Sequence, residues 1–196
     1  MKVFDAFCFN DELSALETRL RELDPIVDKF ILVEARSNGS ISRYYDGSNS
    51  QKPLWFQANK ERFSQYLHKI IHIINPEAFP TKPQHRNLIL KGLEQCEPEP
   101  TDVVIMSTIS RPVPSVELLQ KVLPLARAVP LAIRTNEEAR GAATRADTIV
   151  APFSVVWGEM PHTLRNYRDF LLRVGDTGEL FVMDPKHVSL GIELES

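Results

Sequence analysis

The residues best placed to do chemistry stand at the end of one apolar run. Val103, Val104, Ile105 and Met106 read as a buried strand that passes directly into Ser107, Thr108, Ile109, Ser110 and Arg111, followed by Pro112. In an α/β protein the carboxyl end of such a strand is where ligands bind. An enzyme that handles sugar nucleotides through a divalent cation would place two acidic side chains there, because hard cations take carboxylate oxygens. This stretch has none and offers hydroxyls and a guanidinium instead. Signals for other chemistries are missing too. The chain has no nucleophilic-serine motif, no Walker loop, no glycine-rich dinucleotide turn and no paired histidine metal ligands.

The elements that must carry these residues alternate. Val3 to Phe9 is a short β-like run, followed by a helix with Leu13, Leu16, Leu20 and Leu23 at helical spacing, which Asn10 or Asp11 can cap. Lys29 to Ala35 is a continuous apolar strand, as expected of one buried on both faces. Residues 37 to 53 are rich in Ser, Gly and Asn and mark a long loop, with Trp55-Phe56 anchoring its far end. Beyond it the pattern predicts a helix over 59–68, a strand over 69–74, a helix over 84–95 and the strand 102–107. The second half reads as helix 115–128, strand 130–134, helix 136–145, strand 148–157, helix 162–173 and strand 179–183. This alternation predicts an α/β protein, a three-layer sandwich around a mostly parallel sheet.

Bulk properties narrow the function. At 196 residues the chain fits a single domain with a real core. A net charge of −3 argues against nucleic acid as a partner and gives no basic field for an anionic membrane. No apolar run reaches the length of a membrane span. Two cysteines, Cys8 and Cys96, form no metal or redox motif. With no signal-like start, the expected location is cytoplasmic.

Several stretches of the first half carry a resemblance. They are FDAFCFNDELSALETRLRELDPIVDKFILVEA, KPLWFQANKERFSQYLHKIIHI, QHRNLILKGL and DVVIMS, in this order. Together they resemble glycosyltransferase family 17 over roughly residues 1–107, with 108–196 divergent. The matching pieces are Asp5 to Phe9, Asn10 and Glu12, Val27 to Glu34, Lys52 to Leu54 and Lys69 to Ile73. The resemblance implies a GT-A-like nucleotide-sugar-binding fold, a donor such as UDP-GlcNAc and a glycan or other hydroxyl acceptor. It implies nucleotide contacts from Phe7, Phe9 and Asn10, hydrogen bonds accepted by Glu34 from a ribose or base, and a diphosphate met by Arg86 and Asn87. Each has a plainer alternative. Phe7 and Phe9 also suit a core, Asn10 a helix cap, and Glu34 a surface ion pair.

The chain departs from the family where the metal should sit. The family pattern after the fourth strand is Ser-Asp-x-Asp-Glu-x-Pro. Aligned on Ser107, this chain has Thr108 and Ser110 for the two Asp and Arg111 for the Glu. The family would use Mn²⁺ or Mg²⁺, so the expectation here is no metal cofactor. Arg111 either stabilises a leaving diphosphate in the cation's place or stands on the surface before a Pro-rich turn. A base for an inverting transfer should be a carboxylate. Glu159, in a Trp157-Gly158-Glu159 turn with His162 nearby, and Asp184, after the last strand, are the candidates by position. Two readings follow: a transferase that moves a sugar, most simply GlcNAc, without the cation, or a transferase fold that binds nucleotide, glycan or protein without turnover.

Overall fold

Two seven-residue apolar runs form the centre of the sheet. The computed structural model describes residues 1–36, 52–76, 81–133, 148–161, 171–174 and 180–183, the last two runs as backbone. The strands are β1 (Val3–Phe9), β2 (Lys29–Ala35), β3 (Ile70–Asn75), β4 (Val103–Ser107), β5 (Leu131–Ile133), β6 (Thr148–Pro152), β7 (Leu171–Val174) and β8 (Leu180–Met183). They form one eight-stranded sheet in the order β3-β2-β1-β4-β6-β5-β8-β7. β1 pairs in parallel with β2 and β4, and β2 with β3. β6 and β8 run against their neighbours, so the other six strands share one direction.

Helices cover both faces, which makes the three layers. Side chains alternate across a strand, and β1 shows it plainly. Val3, Phe7 and Phe9 join one core cluster, while Phe4 and Ala6 join the other. The first face is packed by α1 (Leu13–Leu23), α2 (Trp55–Ala58), a 3₁₀ segment (Lys60–Tyr66) and, further along, α5 (Val116–Val122). The second is packed by α4 (Ile89–Glu94) and α6 (Phe153–Glu159), with α3 (Lys82–Asn87) placing His85 into it. Among the described residues no helix is long and apolar enough to cross a membrane.

Carboxylates fix β1 at its amino end and its middle. Asp102 accepts a hydrogen bond from Lys2 N and Asp28 one from Val3 N, both at 2.6 Å. Further along, Arg19 of α1 donates from Nε and Nη2 to the two oxygens of Asp5, again at 2.6 Å, with both side chains fully buried. The same guanidinium lies 4.7 Å from the centre of the Phe7 ring.

Several local expectations are corrected. Neither Asn10 nor Asp11 caps α1. Its N-cap is Glu12, whose carboxylate turns back to accept from Asn10 N and Asp11 N. The helix expected over 59–68 is a 3₁₀ segment behind the single turn of α2, and the one over 84–95 is split in two at Leu88. The one over 115–128 ends as α5 at Val122, and a 3₁₀ turn follows at Leu125–Arg127. The run 148–157 is strand only as far as Pro152. From Phe153 it is helix, because Val155 and Val156 find their burial under the sheet and Phe153 packs on Trp157 one turn later. Residues 171–173, expected at the end of a helix, pair instead with β8. The expected helix over 136–145 and the loop 37–51 lie outside the described residues.

Candidate functional site

The strand order reverses beside β1. β2 and β3 follow it on one side, and β4 returns to the other. Such a switch point leaves a crevice at the carboxyl ends of the two strands, the usual ligand position in open α/β sheets. A small cleft lies at this place, lined by Ala6 and Cys8 of β1, by Met106, Ser107 and Thr108 at the end of β4, and by Arg86 and Ile89.

Arg86 owes its position to the start of α3. Thr81 caps that helix, its hydroxyl accepting from Gln84 N at 3.3 Å while Gln84 Oε1 accepts from Thr81 N at 2.8 Å. Pro83 stiffens the same turn. His85 then turns inward and meets Asn75 at the end of β3, Nδ1 to Nδ2 at 3.2 Å. Its successor Arg86 is thereby carried to the cleft. Burial, with Lys52 and Arg86 adding charge repulsion, pushes His85 down to about 4, so its ring is neutral at pH 7.

The far side of β1 holds a second group of charges. Glu34, at the end of β2, is fully buried. It accepts from Trp55 N and Phe56 N, thereby serving the open end of α2, and meets His72 Nε2 at 3.0 Å. The Lys52 ammonium lies 3.9 Å from Glu34 and donates to the Asn10 carbonyl at 3.1 Å. Burial lowers its pKa, against the opposing pull of Glu34, Asp11 and Glu12. Lys52 N also donates to Arg36 O at 2.8 Å, so the chain leaves β2 and returns at one point.

Of the residues named from sequence, the structure brings Arg86 and Ser107 together at the cleft, with Thr108 beside them. Phe7 and Phe9 are not there. They are buried at 0% and 3% exposure in the opposite core, where residues of odd number on β1 must point. Glu34 is engaged by backbone amides and His72 rather than open to a ribose. Asn10 is exposed past the end of β1, and Asn87 is half-buried at the end of α3. Ser110 and Arg111 stand exposed on the turn closed by Arg111 N donating to Thr108 O at 3.0 Å, while Ile109 of the same turn is buried in the core. Glu159 sits in the last turn of α6 rather than in a loop, and α6 begins at the amino end of β4, opposite the cleft. Asp184 and His162 lie outside the described residues. Lys52 was not singled out from the sequence. Its signal was present in the Lys52-Pro53-Leu54 motif, but only the fold shows that its side chain crosses to β1.

The donor set does not fit a divalent cation. Among the described residues no three His, Cys, Asp or Glu side chains come together as ligands. Where the family pattern has its acidic residues, this chain presents two hydroxyls and a guanidinium, which repels a cation. No chemical step is assigned to a metal here.

Comparison with known proteins follows the same lines. The family model for glycosyltransferase family 17 matches residues 1–135, past the stretches ending at 107 that carry the resemblance and through α5 and β5. No curated protein matches the sequence. A crystal structure of 4-diphosphocytidyl-2C-methyl-D-erythritol synthase is similar with a TM-score of 0.54 and 14% identity, over 95% of each chain. The same-named protein from Anaerococcus prevotii gives a TM-score of 0.48 and 14% identity, over 89% of this chain and 79% of the other. At such identity the first likeness speaks of fold alone, and that fold is the GT-A-like α/β sandwich expected from the sequence.

Proposed function

The chain belongs to glycosyltransferase family 17, and from that premise we propose that the cleft between β1 and β4 binds a nucleotide-sugar donor, UDP-GlcNAc in the simplest case. The observation that carries the proposal is Arg86 standing over a switch-point cleft. A guanidinium suits diphosphate oxygens by charge and by its planar fork of donors. It stabilises the charge that develops as the nucleoside diphosphate departs, the service a divalent cation would otherwise render. The acceptor is a glycan or other hydroxyl compound. Its oxygen attacks the anomeric carbon, the bond from that carbon to the phosphate oxygen breaks, and the diphosphate leaves with the electron pair. The hydroxyl proton passes to a base. Neither carboxylate offered by the sequence suits that role at this cleft, since α6 with Glu159 begins at the amino end of β4 and β8, which Asp184 follows, ends on the same edge. A cytoplasmic location is part of the same proposal.

A second reading, binding without turnover, is favoured by one observation. The buried carboxylate closest to the ends of β1 and β2, Glu34, is already engaged.

Calorimetric titration with UDP-GlcNAc and UDP, each with excess Mn²⁺ and with EDTA, tests the donor site. The expected result is binding that survives EDTA and weakens roughly 10- to 100-fold in Arg86→Ala, as loss of a charge-assisted contact implies. Absence of binding by either ligand in both conditions overturns it. Mass-spectrometric detection of GlcNAc transfer to an acceptor panel then separates the transferase from the silent binder.

A further inference from the structure

We propose that Lys52 is the second cation of the donor cleft, taking hold of the diphosphate from one flank of β1 while Arg86 takes it from the other. This rests on the donor reading above and adds to it a residue and a geometry. Lys52 follows the segment returning to β2, and its side chain is only 9% exposed. A lysine so buried is nearly always paired, yet among the described residues this one has only a carbonyl and a distant carboxylate. Its ammonium has three N–H donors. One goes to the Asn10 carbonyl, and Glu34 at 3.9 Å is too distant for a hydrogen bond. Two N–H groups therefore lack a hydrogen-bond partner among the described residues. Glu34 is drawn away by Trp55 N, Phe56 N and His72.

The placement fits a diphosphate. Asn10, which the ammonium touches, lies two residues beyond Cys8, which lines the cleft. Two residues of extended chain span about 7 Å, so the ammonium stands just past the cleft along β1. Lys52 and Arg86 are close enough to the same point for both to repel a proton from His85. Arg111, the cation singled out by the sequence, stands instead on the exposed turn after β4.

The test compares UDP with uridine, which lacks the phosphates, on wild type, Lys52→Met and Lys52→Arg. In Lys52→Met, UDP binding should weaken at least roughly ten-fold while uridine binding stays within about two-fold, and Lys52→Arg should restore most of the loss. Equal weakening of both ligands would mean that Lys52 only supports the structure, and unchanged UDP binding would remove it from the site. Either result overturns the proposal while Arg86 dependence keeps the donor reading. If wild type binds neither UDP nor inorganic pyrophosphate, both fail together. A measurement on wild type covers the case in which Lys52→Met does not fold. Acetylation of Lys52, followed by peptide mass spectrometry, should slow at least roughly ten-fold with saturating UDP. Equal rates with and without UDP, in a protein that binds UDP, overturn the assignment.

Discussion

Removing one partner of the Asp5–Arg19 pair should cost more stability than any other single polar change in the first half of the chain. Both side chains are at 0% exposure and exchange two hydrogen bonds of 2.6 Å. Opposite charges about 4 Å apart attract by about 4 kcal/mol at an effective dielectric of about 20. Desolvation of both ions opposes that gain, so the intact pair adds little net. Asp5→Asn keeps shape but leaves Arg19 charged and uncompensated, with Nη1 already lacking a hydrogen-bond partner among the described residues. Breaking a buried pair in this way costs about 3–5 kcal/mol. At roughly 2–4 °C per kcal/mol for a chain of this size, Asp5→Asn and Arg19→Met should each melt about 10 °C lower. The double change Asp5→Asn with Arg19→Met should recover much of the loss, because neither charge remains to be stranded. Urea unfolding of the four proteins gives the cycle directly. A loss below about 1 kcal/mol in both single variants, or a double variant as poor as their sum, would refute the reasoning.

Three further outcomes follow from the same structure. As pH falls, the unfolded chain protonates His85 near 6.5, whereas the folded chain waits until about 4. Stability should therefore drop across that window by about 3 kcal/mol and level off below it, and His85→Gln should flatten that part of the curve. An unchanged curve would remove His85 as the cause. Gly92→Ala should destabilise by about 1–3 kcal/mol despite alanine's better helix propensity, because the new Cβ overlaps Ile31 Cγ2 and presses Ile73; equal or higher thermal stability would contradict it. Thr148→Val should be neutral or stabilise by about 1 kcal/mol, since Thr148 Oγ1 is buried without a hydrogen-bond partner among the described residues. A clear loss in chemical denaturation would instead reveal a bridging water between it and Ser107, its neighbour across the strands.

The first half of the fold was legible because its strands carry their burial openly. Lys29 to Ala35 must be central, since an unbroken apolar run can be satisfied only with cover on both faces. Residues 148–157 were not legible, because Val155 and Val156 have strand propensity but a helix buries them equally well. Likewise the helical reading of 162–173 fails at 171–173, where pairing with β8 decides. At the site, Arg86 was visible as a charge near a helix start. Phe7 and Phe9 were misplaced because the register that turns them to the α1 face depends on neighbours absent from the local sequence. Glu34 looked available for the same reason, since its amide partners at Trp55 and Phe56 lie some twenty residues away.

The reversal of direction at β6 has a wider effect on how such a chain can change. Because β6 opposes both neighbours, Ile133 ends β5 directly opposite Thr148, where β6 begins, and Thr148 also faces Ser107. Arg36 and Lys52 likewise meet at the end of β2, and Val174 faces Leu180 between β7 and β8. The described residues that flank 37–51, 134–147 and 175–179 therefore all lie at the edge that holds the cleft, while the carboxylates that accept from Lys2 N and Val3 N secure the opposite edge. Lengthening or rewriting any of the three leaves every strand register intact. Such a chassis can acquire new acceptors by exchanging parts along one rim, with its foundations untouched.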